Sequence, residues 1–303
     1  MTALRIAECD IIYLSYDEPN AEKNYADLCS KIPWAKRVDG VKGSDAAHKA
    51  CAEISDTDRF ITIDGDNIIN ADLIQEEINL STQQQQGNYV ISWAANNQIN
   101  GLIYGNGGVK LWPKNYVLNM KTHENAGDNP HAQVDFCWDA SYLQIDKIFS
   151  EIHNNASAKQ AWRAGFREGV KMCLDQGVKP DTTNGFFKNH WRNVHRAYIW
   201  MSVGADAKNG LWAIYGARQG FYKTMLTNWD YIQVRDFEYL DELWDSTDVT
   251  EDSLYEGTVQ LGKDIVKGID IPIPVKPLEP DASRFYKFTY QSPTRRTILQ
   301  DTE

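Results

Sequence analysis

Cysteine pairs of structural or metal-binding spacing are missing from this chain, and that removes two classes at once. The five cysteines (Cys9, Cys29, Cys51, Cys137, Cys173) are odd in number, show no C-x-x-C spacing and sit largely among apolar neighbours. They read as reduced core residues, excluding a disulfide scaffold and a zinc site. The first residues lack a basic stretch followed by an apolar one, and no apolar run approaches the length that spans a bilayer. The expectation is a soluble, cytoplasmic protein without a membrane partner. A net charge of −11 also removes any general attraction to nucleic acid.

What is present is enough for a proper core: 303 residues, 42% of them hydrophobic, fit one large α/β domain or two smaller ones. The charge is uneven. Residues 1–109 carry 8 Lys and Arg against 16 Asp and Glu, residues 110–235 carry 16 against 11, and residues 236–303 carry 7 against 15. A basic middle between acidic ends leaves a local surface able to hold a polyanion.

The stretch Arg59-Phe60-Ile61-Thr62-Ile63-Asp64-Gly65-Asp66 organises the rest. A short β-rich run empties into two carboxylates separated by one glycine. Such a pair at a strand end is either a turn or a hard-cation site, since Mg²⁺ and Mn²⁺ take oxygen ligands and leave positions for phosphate oxygens. An EF-hand is excluded, because counting from Asp64 its glycine position holds Ile69 and its closing glutamate position holds Gln75.

Upstream, Cys9–Tyr16 reads as a strand, Asn20–Lys31 as a helix, Trp34–Val38 as a strand and Ser44–Ile54 as an Ala-rich helix. This alternation builds parallel strands whose ends share one edge. Tyr13, Ser15, Tyr16 and Asp17 finish the first strand, Asp39 and Lys42 follow the second, and Asp64 and Asp66 finish the third. Together they form a candidate site for a base, a ribose and a metal-bound diphosphate. The Gly-rich phosphate loop of nucleotidyltransferases is missing after the first strand, where Asp17-Glu18-Pro19-Asn20 stands.

Gly40-Val41-Lys42-Gly43-Ser44-Asp45-Ala46-Ala47-His48, followed by Ile61-Thr62-Ile63-Asp64-Gly65-Asp66, resembles the nucleotide-sugar half of GT-A glycosyltransferases of the family-two type. There a small-residue helix precedes a hydrophobic strand ending in D-x-D. The resemblance covers about the first third of the chain, and Ala47-His48 depart from an Arg-Asn pair frequent on that helix. It implies a Rossmann-type, mostly parallel sheet flanked by helices, with a helical acceptor-side region. It also implies a nucleotide-sugar donor, a UDP-sugar foremost, and Mn²⁺ or Mg²⁺ on Asp64 and Asp66. The expected layout is a donor half at 1–115, an acceptor side with a lid loop at 116–235, and an acidic packing segment with a Pro-rich strap at 236–303.

Further roles follow in chain order. Ala71–Leu80 reads as a helix. Gly107 and Gly108 permit either a tight turn or, by the resemblance, close approach of the acceptor. Thr122–Pro130 is a long polar loop, a candidate lid. Asp135 falls where the resembled family places its general base, and burial between Val134 and Phe136 is expected to raise its pKa. Asp206, in Gly204-Ala205-Asp206, looks like the family's G-E-D element and competes for that role; the base is needed only if the reaction inverts. Arg163 and Arg167 share a helix face with Lys171, either to clamp phosphates or as a solvated face. Between Phe186 and Arg196 aromatic and basic residues interleave, which makes Trp191 and Arg192 acceptor candidates and His190 or His195 a further metal ligand. Similarity in style to transferases of tailed phages implies 5-hydroxymethylcytosine or 5-hydroxymethyluracil in duplex DNA as acceptor, in the cytoplasm of an infected host. A glycan or protein acceptor, or a non-catalytic carbohydrate-binding protein of the same fold, is the alternative. Oligomeric state is left open.

Overall fold

The computed structural model describes residues 2–81, 87–105, 107–127, 133–135, 137, 141–271 and 274–290. The Gln83–Gln86 tract and the 128–130 end of the expected lid loop fall outside them.

After β1 (Thr2–Arg5), the elements β2 (Asp10–Ser15), α1 (Ala21–Lys31), β3 (Lys36–Asp39), α2 (Ser44–Ile54) and β4 (Arg59–Asp64) follow in the expected alternation. Then come β5 (Asn67–Ile69), β6 (Glu77–Leu80), β7 (Val90–Asn97), β8 (Ile103–Tyr104), β9 (Val109–Pro113) and β10 (Tyr142–Ile152). The main sheet runs β3-β2-β4-β9-β7-β10-β5, with β8 paired to β7. Among the described residues of this sheet the β2–β3, β2–β4 and β7–β10 pairs are parallel, and β4–β9, β7–β9, β7–β8 and β5–β10 are antiparallel. The expected mostly parallel sheet is therefore corrected to a mixed one. The short connection between β7 and β9 leaves no room for the crossover helix that a parallel return requires.

Side chains alternate across this sheet with the period of two that a strand imposes. Ile11, Tyr13, Ile61, Ile63, Val109 and Leu111 join Leu28 of α1 in one core, while Ile12, Phe60 and Trp112 join Cys51 and Ala52 of α2 in another. All five cysteines are free, four of them buried. Two local expectations are corrected. Ala71–Leu80 is a 3₁₀ turn over Ala71–Gln75 followed by β6, because the Asn70 side chain accepts the Asp72 amide and Ile78 and Leu80 then alternate inward against β1. Pro280, expected in an extended strap, instead opens a helix, at the position where a missing N–H is harmless.

The C-terminal part adds α3 (Lys114–Asn119), α4 (Ala158–Lys171), α5 (Trp191–Trp200), α6 (Gly210–Leu226), α7 (Phe237–Asp245), α8 (Leu254–Ile269) and α9 (Pro280–Thr289). Residues of α4, α5, α6, α7 and α8 share a single core with Ile99 and Leu102 from the end of β7. At its centre α4 and α6 touch backbone to backbone. A Cβ added at Gly165 or Gly169 would collide with the Ala213 or Ala217 carbonyl oxygen, and one at Gly216 or Gly220 with that of Trp162 or Phe166. The pattern G-x-R-x-G, present at Gly165–Gly169 and at Gly216–Gly220, supplies the two halves of one helix contact.

Gly169→Ala has to force these backbones apart, so a loss of about 3 kcal/mol is expected by chemical denaturation. Gly257→Ala on α8, whose new Cβ meets side chains only at 3.5 Å and beyond, should instead be neutral or stabilise by about 0.5–1 kcal/mol. Equal effects of the two would contradict the contact described.

Candidate functional site

Strand register brings the predicted donor-side residues into line. Ser15 stands opposite Asp39 and Leu14 opposite Asp64, so the ends of β2, β3 and β4 form one edge. There the Asp64-Gly65-Asp66 turn is held from every side. The Gly65 carbonyl accepts the Tyr13 hydroxyl at 2.5 Å and Asn24 Nδ2 at 3.0 Å. The Asp64 amide donates to the Gly108 carbonyl at 2.9 Å, the His153 amide to the Asp66 carbonyl at 2.7 Å, and Asn67 Nδ2 to Asp66 Oδ1 at 2.7 Å. Gly65 has no room for a side chain, since a Cβ would come within 2.6 Å of Glu18 Oε2.

Several expected ligand residues turn out to build this turn. Tyr13 is fully buried and spends its hydroxyl on Gly65 and Ala21, which places it under the site and not in it. Ser15 donates to Asp39 at 2.5 Å and accepts Arg37 Nε at 3.1 Å. Gly107 and Gly108 are buried; a Cβ on Gly107 would strike Ala95 and one on Gly108, at φ +88°, would strike Asn67. Their need for close approach is met by protein. Tyr16, Asp17 and Asp39 line a cleft of about 460 Å³ with Glu18, Glu22 and Arg37. Lys42 is exposed and paired with Glu238.

Three carboxylates, Glu18, Asp64 and Asp66, crowd this edge. Burial, then the charges of Asp64 and Glu18, push the Asp66 carboxyl up to about 7, and burial with Asp64 also raises Glu18. Lys110 is a residue the sequence reading passed over. It is buried on β9 with Nζ 3.9 Å from Asp64 Oδ2, and Asp64 holds its ammonium protonated against the opposing effect of burial. A lysine in the otherwise apolar Val-Lys-Leu-Trp strand was the available signal.

α4 supplies cations within electrostatic reach of this edge. Burial lowers the Arg167 pKa, against Asp135, Glu168 and Asp66, whose charges favour the guanidinium; Arg163 in turn acts on Glu18. Arg163 and Arg167 thus couple to Glu18 and Asp66 while Lys171 pairs with Asp135 and Glu168, and the column is not a solvated face. Asp135 accepts Lys171 Nζ at 2.9 Å and the Cys137 amide at 3.1 Å. Burial does act to raise its pKa, as expected, but Lys171 and that amide outweigh it and hold the carboxyl down at about 2. Asp206 lies apart from this group, its side chain 6% exposed and paired with Lys287 at 2.6 Å.

His190 is exposed and uses Nδ1 to accept the Arg192 amide at 3.2 Å, capping α5, while His195 packs on Tyr290. Among the described residues no group of three or more His, Cys, Asp or Glu side chains is gathered as a metal site. The donor set that fits Mg²⁺ or Mn²⁺ is the pair Asp64, 42% exposed, and Asp66, with buried Asn67 Oδ1 beside them lacking a hydrogen-bond partner among the described residues. Such ions accept one or two carboxylates and complete their shell with water and phosphate oxygens. No helix among the described residues is long and apolar enough to cross a membrane. The loop after α3 is pinned where it is described: Glu124 accepts the Ser44 and Asp45 amides at 2.7 and 3.2 Å, and Asp45 accepts the Thr122 amide at 2.5 Å.

No family model matches the chain, and no curated protein matches it. Among solved structures the chain is weakly similar to a glycosyltransferase involved in the glycosylation of the major capsid of PBCV-1. It is 13% identical over 50% of this chain and 98% of that one, with a TM-score of 0.30. So distant a likeness carries no argument about what this chain does.

A carboxyl raised in the fold stabilises below its unfolded pKa of about 4 and loses that contribution as pH rises through its folded value. In chelator, wild type should therefore lose stability relative to Asp66→Asn between about pH 4 and 7. The gap at pH 8 should be on the order of 1–2 kcal/mol once solvent screening of this part-buried group is allowed for. Denaturation at both pH values checks this; a constant gap would remove the crowding argument.

Proposed function

We propose that this chain is a metal-dependent glycosyltransferase that uses a nucleotide-sugar donor, a UDP-sugar foremost. The observation that carries the reading is the crowding of Glu18, Asp64 and Asp66 on the edge where β2, β3 and β4 end, beside the cleft lined by Tyr16, Asp17 and Asp39. A fold holds like charges together at a net cost, and a bound cation removes that cost. Asp64 and Asp66 would hold Mn²⁺ or Mg²⁺, which when bound supplies positive charge to a diphosphate leaving group.

The chain's own groups do the rest. Asp39 and Arg37 offer an acceptor and a donor to a nucleobase in the cleft, and Arg163 and Arg167 pair with phosphate oxygens. Both candidate bases are paired with a lysine, Asp135 with Lys171 and Asp206 with Lys287; Asp135 is the one that shares its charge environment with Lys110 and Arg167. Its carboxylate is ionised, the form a base needs. Its weak basicity means that an acceptor hydroxyl gives up its proton only as the new bond forms.

For the acceptor, the same reading extends to a 5-hydroxymethylated pyrimidine in DNA. Its support is the surface at the start of α5, where Phe187 and Trp191 are 42% and 56% exposed and the Arg192 guanidinium lies 5.5 Å over the Trp191 ring. Aromatic faces with a basic neighbour suit bases and phosphates.

The donor is tested by thermal shift with UDP, GDP, CDP and ADP, each with and without Mn²⁺. One nucleotide should stabilise wild type by about 2.7 kcal/mol at a hundredfold excess over Kd, only with metal, and Asp66→Asn should not respond. Silence towards all four would overturn the transferase reading. For the acceptor, hydroxymethylated duplex DNA should bind with affinity falling steeply with salt, and Trp191→Ala should weaken it about tenfold. Absence of DNA binding at low salt would leave a glycan or protein acceptor.

A further inference from the structure

We infer that Phe237, on the acidic helix α7, is a positioning residue whose ring assembles Arg163 and Arg167 into a two-pronged clamp for a diphosphate. The inference rests on the reading of the cleft as a nucleoside-diphosphate site. Residues 236–256 hold nine acids and no Lys or Arg, a composition that packing alone does not require. In the fold two of these acids meet cations: Glu238 pairs with Lys42, and Asp241 with Lys159 at 3.0 Å and Arg163 at 3.8 Å. Asp236 accepts the Glu238 and Tyr239 amides at 3.0 and 3.1 Å, so the helix starts at Phe237 and its first ring is fixed in place.

That ring has both guanidinium carbons, of Arg163 and of Arg167, 4.9 Å from its centroid. Phe237 is not what seats the helix. Leu240 is buried in the core with Tyr239, Leu243 and Trp244 packed around it, whereas Phe237 is 39% exposed and belongs to none of the apolar clusters. A guanidinium stacked on a ring is held by its face and keeps its N–H edge for an anion. Arg167 Nε is buried without an acceptor among the described residues. Two forks one helical turn apart match the two phosphoryl groups of a diphosphate, and their charges reach the carboxylate turn through Asp66 and Glu18.

Calorimetric titration with inorganic pyrophosphate, and separately with UDP, each with and without Mg²⁺, tests the inference on full-length wild type, Phe237→Leu, Phe237→Tyr, Arg167→Lys and Asp66→Asn. Phe237→Leu and Arg167→Lys should each weaken pyrophosphate about tenfold, the size of one lost stacked or bidentate interaction. Phe237→Tyr should stay within about twofold of wild type, because its ring is equivalent. Thermal denaturation of each variant separates this from unfolding, and Arg167→Lys reads the clamp independently should Phe237→Leu fold poorly. Unchanged affinity in Phe237→Leu and Arg167→Lys, with loss in Asp66→Asn, would overturn the clamp while the donor reading stands. Loss in the clamp variants with no dependence on Asp66 or Mg²⁺ would support the clamp and overturn the metal-dependent reading. No binding of pyrophosphate or UDP to wild type would overturn both.

Discussion

Repulsion among three carboxylates is the constraint on which the rest of this structure turns. Glu18, Asp64 and Asp66 share one sheet edge, and the fold does not let them separate. The Gly65 carbonyl is tied to Tyr13 and Asn24, the flanking backbone groups to Gly108 and His153, and Glu18 is pressed against Gly65 itself. A buried tyrosine and a buried asparagine are spent on fixing one carbonyl oxygen. Lys110 lies nearest Asp64 and also feels the charges of Asp135 and Asp66, yet burial and the charges of Asp64 and Glu18 still push the Asp66 carboxyl up to about 7. An arrangement this unfavourable without a cation, yet this firmly built, is what a cation and a polyanionic ligand would complete.

The opposite wall depends on a different device. The backbone contact of α4 and α6 fixes the rotation of α4 about its own axis, because four glycines allow only one close approach. Trp162, Phe166 and Val170 are thereby buried, and Arg163, Arg167 and Lys171 are turned toward the carboxylates. Packing deep in the helical core and charge at the cleft are two faces of one helix. The acidic helix α7 then packs on the same cations, Asp241 against Arg163 and Phe237 against Arg163 and Arg167.

Much of the edge where β2, β3 and β4 end is legible in the sequence, and for definite reasons. The first three main-sheet strands and their helices are local signals: apolar runs of strand length, an Ala-rich helix, turn residues at the breaks. The Ala-rich run marks α2 at its bounds, and the strand ends put Ser15, Asp39 and Asp64 on one edge, where strand register has them. What failed depended on distant partners. The antiparallel insertion of β9 between β4 and β7 is a pairing choice invisible in Val-Lys-Leu-Trp itself. Asp135 looked like a carboxyl raised by burial until Lys171, thirty-six positions on, was found against it. Tyr13 had the composition of a ligand and the position of a support. Phe237 carried no signal, since an aromatic on an acidic helix reads as packing until two arginines are seen on its ring.

The central claim is that the Asp64-Gly65-Asp66 turn is half of a cation site whose other half arrives with a diphosphate. Electron paramagnetic resonance of free Mn²⁺ measures this most directly. With protein alone the free-ion signal should fall little; on adding the nucleoside diphosphate the cleft accepts it should fall steeply, and with Asp66→Asn it should not. A Mn²⁺ signal indifferent to nucleoside diphosphates, or equally lost with Asp66→Asn, would contradict the account and leave the turn a structural one.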